Sequence, residues 1–282
     1  MTLEYIQEVG VEKFNPYHDA RGRFTTAGNA RSFTIRTKAG LYQQGMVNRA
    51  IEREKERVKN EEIYEKPPKY KKAKNIDEAI SDANRMTKDG NFSISGLHLN
   101  TVNAFNEAMF NVEQMFGNKL DIKGIKPVKK DNTRYYQGSY NPLTKEISIR
   151  GGKSPSAMDN AEKRAQKQFK EGFLASKDRL GTFYHEIAHS IWYELPKDAK
   201  NKINDIFRRT KKEAYKEWMD AGGSRSGVSQ REFFGKKLSQ YAAEDEREFF
   251  SEAFSQIMSK RTRPVSREVK AILNEYYKKE GQ

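Results

Sequence analysis

His185-Glu186-Ile187-Ala188-His189 constrains this chain more than any other feature. Residues four apart on a helix lie one turn above each other, so both imidazoles project the same way. Two such histidines can reach one Zn2+ at about 2.0–2.1 Å, and the glutamate beside them is placed as base toward a water activated there. The flanking residues provide the helix that the motif needs. Phe183, Ile187, Ile191 and Leu195 recur every four residues and bury one side, while the histidines lie nearer Ala188 and Trp192. Two helical histidines can also form a structural pair. The chain has only four, His18, His98, His185 and His189, and two of them fall at ligand spacing on a well-formed helical period.

A catalytic zinc takes a third protein ligand and keeps one position open. The metzincin pattern puts Gly and His three and six residues past the second histidine; Trp192 and Leu195 stand there, which excludes it. His98 lies far upstream. A carboxylate is the better candidate, and the stretch from Tyr241 to Phe254 supplies two. Glu248 and Glu252 are four apart, hence on one face of one helix. One can bind the metal while the other supports a ligand from behind. Phe249, Phe250, Ala253 and Phe254 are expected to pack this helix against the H-E-x-x-H helix.

These residues resemble the lethal-factor type of gluzincin, a family of zinc peptidases. H-E-x-x-H at 185–189 carries the resemblance, together with Tyr241 seven residues ahead of Glu248-Phe249-Phe250-Ser251-Glu252-Ala253-Phe254. Three positions depart from the pattern. The serine before Tyr241 is shifted, with Gln240 adjacent and Ser239 one place earlier. Ala188 replaces a common glycine, and Tyr193 stands where an aspartate is often found. The match covers roughly 178–258 well and 99–150 as a helix-plus-sheet layout. It implies peptide-bond hydrolysis with one Zn2+ per chain, held by His185, His189 and Glu248. It further implies Glu186 as base and then proton donor, Tyr241 steadying the oxyanion, and Glu252 supporting a ligating histidine. The fold expected is α+β, a zincin-like domain that is mostly helical with a small sheet, behind an irregular N-terminal extension.

Three segments are expected: 1–44, 45–75 and 76–282. In the first, Asn15, Pro16, His18, Asp19, Gly22, Arg23 and Phe24 resemble a stretch found in head-associated proteins of tailed bacteriophages. That resemblance implies docking to phage head proteins and a place in the host cytoplasm or the virion. Residues 48–66 alternate in charge as a solvated helix does, Pro67-Pro68 stops it, and Lys69 to Lys74 reads as a basic spacer.

From about residue 76 the pattern turns globular. Asn75 and Glu78 cap a helix, and Val102, Phe105, Met109, Val112 and Phe116 form a buried stripe ended by Gly117. Leu120 and Ile122 then alternate as in a strand. Residues 134–140 and 145–150 read as a hairpin, in which Glu146, Ile147, Ser148 and Ile149 are expected to form an edge strand that pairs with extended substrate. Helices follow from Ser154-Pro155, near 178–195, 197–220 and 244–259, and near 266–278 with Ser266 as cap.

Composition narrows the alternatives. No cysteine is present, which excludes disulfides, Cys-ligated metal and thiol catalysis. No run of eighteen apolar residues exists, so no membrane span is expected, and the first residues lack a secretory pattern. The net charge of +14 suits non-specific contact with DNA. The rival to the peptidase reading is therefore a non-catalytic phage structural or DNA-associated protein with a retained zincin domain.

Overall fold

The computed structural model describes residues 68–128 and 137–280. The expectations for residues 1–44, the charged helix at 48–66 and the start of the hairpin at 134–136 lie outside the described residues. Eight helices and four short strands follow in chain order among the described residues. They are α1 (Ile76–Met86), β1 (Ser93–Ile94), α2 (Leu99–Phe116), β2 (Gly124–Pro127), β3 (Gly138–Asn141) and β4 (Glu146–Ile149), then α3 (Ala157–Lys170), α4 (Gly181–Glu194), α5 (Lys197–Asp220), α6 (Gln230–Lys237), α7 (Glu246–Met258) and α8 (Pro264–Glu280). The architecture is α+β, mostly helical with one small mixed sheet.

The helix ends follow local chemistry. Asn75 accepts the Glu78 N–H at 2.8 Å and starts α1. Gly117, at φ 77, closes α2 by donating to Glu113 O at 2.7 Å. Pro196 follows α4 and helps to end it. Phe105, Met109 and Val112 of α2 are buried as their spacing requires, and Phe105 meets Phe183 of α4 edge to face at 5.6 Å.

The sheet runs in the order β1-β2-β4-β3, with β2 parallel to β1 and β4, and β3 antiparallel to β4. This corrects the expectation for Glu146, Ile147, Ser148 and Ile149. Their strand is paired on both sides, Ile147 and Ile149 face the core, and Glu146 is ion-paired with Lys126. The hairpin pattern located the strands but not their order, because β2 arrives from earlier in the chain to cover β4. Among the described residues the outer strand on that side is β3.

Other differences have equally local causes. Leu120 and Ile122 are buried, yet the strand starts only at Gly124; Leu120 makes a single bridge to Thr87. Pro264 opens α8, and Ser266 lies inside the helix, where its hydroxyl donates to Gln256 Oε1 at 2.6 Å. The basic stretch after Pro68 is no free spacer. Ala73 is buried and exchanges two hydrogen bonds with the Asn103 side chain, at 2.8 and 2.9 Å, and Tyr70 donates to Asp82. Helix α6 was not expected, although Ser229 and Glu232 form a full capping box ahead of it.

Helix α7 is the hub of the helical layer. Phe250 packs on Trp192 of α4, Phe249 on Phe207 of α5 and Phe234 of α6, and Phe254 on Phe116 of α2. Its aromatic residues thus meet four helices rather than α4 alone. Phe254 is fully buried. Phe254→Ala should lower stability by about 3–5 kcal/mol, as for other buried phenylalanines. Urea unfolding followed by circular dichroism measures this; a loss below about 1 kcal/mol would mean that the α2–α7 contact is not part of the core.

Candidate metal centre

Helices α4 and α7 cross with His185 and His189 facing Glu248 and Glu252. Asp245 caps α7, accepting from Arg247 N and Glu248 N at 2.8 and 2.9 Å, and so sets where Glu248 emerges. Nε2 of His185 lies 3.2 Å from Nε2 of His189 and 2.9 Å from Glu248 Oε2. Nε2 of His189 lies 3.6 Å from Glu248 Oε1. These ligand atoms lie within 4.8 Å of one another, a grouping that could hold a metal ion.

The donor set fits a small divalent cation. Ligands at about 2.0–2.1 Å around a tetrahedral centre lie about 3.3 Å apart, and the separations above bracket that value. Each imidazole is also held from behind. Glu252 Oε1 lies 2.9 Å from His185 Nδ1, and Ser251 Oγ lies 3.2 Å from His189 Nδ1. With the proton of His185 on Nδ1 toward Glu252, its Nε2 presents a lone pair. Lone pairs that converge this closely repel unless a cation or a proton lies among them. The protein's own alternative is protonation. Burial lowers the His185 pKa, but hydrogen bonds to Glu248 and Glu252 outweigh it and hold the imidazole well above its usual value. For Glu248, burial raises the carboxyl pKa, and the two histidines more than reverse this.

Glu252 is itself fixed. Its other oxygen accepts from Ala175 N at 2.6 Å, which ties the segment ahead of α4 to α7. Tyr241 lies on the short 3-10 turn before α7. Its ring is stacked between Phe173 and His185, with both centroid separations 5.5 Å, and its hydroxyl bonds to Glu248. Burial, with the nearby carboxylates, raises its pKa and keeps the phenol protonated as a donor.

Glu186 points the other way from the core face of α4, into a cleft that also reaches Tyr241 and Phe173. The residue is 3% exposed, and its Oε2 is buried with no hydrogen-bond partner. Burial raises its pKa. Strand β3 passes directly over it. A methyl group at Gly138 would lie 2.6 Å from Glu186 Oε1, so only glycine lets the backbone approach this closely.

Six of the expected site residues therefore converge: His185, Glu186, His189, Tyr241, Glu248 and Glu252. Glu146, Ile147, Ser148 and Ile149 do not; they lie one strand away, behind β3. His98 caps α2 by accepting from Asn100 N at 3.2 Å and is not among the ligands. Ser251, Gly138 and the Ala175 N–H were missed. Ser251 was open to a helical-wheel argument, being three residues from Glu248; the other two act through backbone and leave no side-chain signal. Compared with known proteins, the chain matches no family model, no curated protein and no solved structure.

Two substitutions test this geometry. Glu252→Gln keeps the shape but weakens the orientation of His185, and should loosen zinc by about 10–100-fold. Competition with a chelator of known affinity measures it; wild-type affinity would show that Glu252 does not support the ligand. Gly138→Ala should leave zinc affinity near wild type while displacing the Glu186 carboxylate, visible in a crystal structure. An unmoved Glu186 would mean that β3 yields instead.

Proposed function

We propose that this chain is a zinc-dependent metallopeptidase with a zincin-like fold of the lethal-factor type. His185, His189 and Glu248 would hold the ion. When bound, Zn2+ supplies Lewis-acid polarisation of the scissile carbonyl and makes water at the site more acidic. The observation that carries the reading is the placement of Glu186: a buried carboxylate with an unpartnered oxygen, beside a His-His-Glu set and under a strand backbone.

Glu186 takes the proton of the attacking water at Oε2 and later passes it to the leaving amine. Its raised pKa suits a group that must hold that proton between the two steps. Tyr241 keeps its own proton and donates a hydrogen bond to the oxyanion, its ring fixed between Phe173 and His185. Extended substrate adds to the outer edge of β3, and strand pairing orients it over Glu186. By the resemblance of its first residues the protein would act as a head-associated or effector protease of a phage, with residues 1–44 as the docking segment. The rival reading is a non-catalytic structural or DNA-associated protein. The intact Glu186 and Tyr241 favour catalysis.

A position-scanning peptide library, digested by zinc-loaded protein and read by mass spectrometry, is the test. Glu186→Gln should keep its zinc and lose about 10^2–10^4-fold in kcat. Tyr241→Phe should also keep zinc and lose about 10^2–10^3-fold. No cleavage by the zinc-loaded wild type, or equal cleavage by Glu186→Gln, contradicts the reading and favours the structural rival.

A further inference from the structure

A second cleft adjoins the first and shares Gln137 and Thr182 with it. Arg150, Arg164 and Arg179 line it, and no Asp or Glu does. Arg179 is ion-paired with Glu107. Arg164, on α3, is placed differently. Its Nε donates to the neutral Gln137 Oε1 at 3.2 Å, and among the described residues no carboxylate pairs with it.

A guanidinium has five N–H donors in a planar fork and keeps its charge at any ordinary pH. Arg164 is half-buried, and the charge that acts on it is another cation, Arg150. Both burial and Arg150 pull its pKa down, so the environment disfavours the charge that the residue must carry. Such a site gains from an anion, and a carboxylate matches the fork in two parallel hydrogen bonds.

The cleft also lies on the path of the chain that β3 would pair with. Gln137 immediately precedes Gly138, whose backbone meets Glu186. Gln137 O accepts from Arg150 N at 2.8 Å, so the β3–β4 ladder runs on past Gly138 toward the arginines. An extended peptide advances about 3.3–3.4 Å per residue. The two clefts share Gln137 and Thr182, so the cleft that Arg164 lines lies within a few residues' reach of the reacting bond.

Resting on the peptidase reading, we propose that Arg164 is a specificity determinant: it binds a substrate carboxylate, an Asp or Glu side chain or the C-terminal carboxylate, close to the scissile bond. Gln137 holds the guanidinium toward the cleft until substrate arrives.

Paired quenched-fluorescent peptide pools test this. One pool carries Asp or Glu at each position around the cleavage site, its twin Asn or Gln, and each is made with a free and with an amidated C-terminus. Zinc-loaded wild type should cleave the acidic pool with kcat/KM about 10-fold above its twin, the scale of one charge-assisted hydrogen bond. The preference should vanish in Arg164→Gln and reverse toward the neutral twin in Arg164→Glu. A side-chain carboxylate gives the preference with amidated termini; a C-terminal subsite gives it only with free ones. A wild type that cleaves without preference at either terminus, or a preference that survives Arg164→Gln, overturns the proposal. Anisotropy of the same pools on zinc-loaded Glu186→Gln reads the contrast without turnover. Acid-selective binding lost in Glu186→Gln/Arg164→Gln, with no cleavage by wild type, would sink the peptidase reading and leave the carboxylate site standing.

Discussion

The buried Glu252 carboxylate is the contact on which the centre depends. One oxygen faces His185 Nδ1 and the other accepts from Ala175 N. It thereby joins α7, α4 and the segment that leads into α4. A carboxylate 2% exposed is costly to bury unless both oxygens are partnered. Here the two partners are the group that must be oriented and the backbone that brings it. The aromatic packing of α7 holds this arrangement from the opposite side, through Phe250 on Trp192 and Phe254 on Phe116.

The charges explain why the site suits a cation. Glu186, Glu248 and Glu252 crowd two histidines in a mostly buried space. Without positive charge among them the carboxylates would repel one another; against its burial, hydrogen bonds to Glu248 and Glu252 raise the His185 pKa, while burial is the main cause that raises that of Glu186. A divalent ion relieves the same crowding without fixing protons on the ligands. Glu186 is then left as the carboxylate with an idle oxygen, on the side of the cleft where β3 passes.

What could be read in the sequence follows from how local each feature is. His185 and His189, like Glu248 and Glu252, are related by one helical turn, and that relation needs no tertiary information. The stripe from Val102 to Phe116 was legible for the same reason, as was its stop at Gly117. The pairing of β4 with β2 was not, because it joins strands 22 positions apart, Gly124 with Glu146, whose four-residue patterns carry no partner information. Gly138 looked like any strand glycine; its role exists only because α4 lies beneath it. Ser266 has a cap's side chain, but the helix opens two residues earlier at Pro264, a first helical position that proline favours. Helix α6 carried its Ser229–Glu232 signature in plain sight.

The central claim is that one zinc ion is held by His185, His189 and Glu248, with Glu252 behind His185. Anomalous diffraction at the zinc edge from crystals of the full chain grown with zinc tests it most directly. The account predicts one strong peak bonded to Nε2 of both histidines and to a Glu248 oxygen, with Glu252 on His185 Nδ1. A peak ligated by Glu252 in place of Glu248, or no peak between α4 and α7, would contradict it.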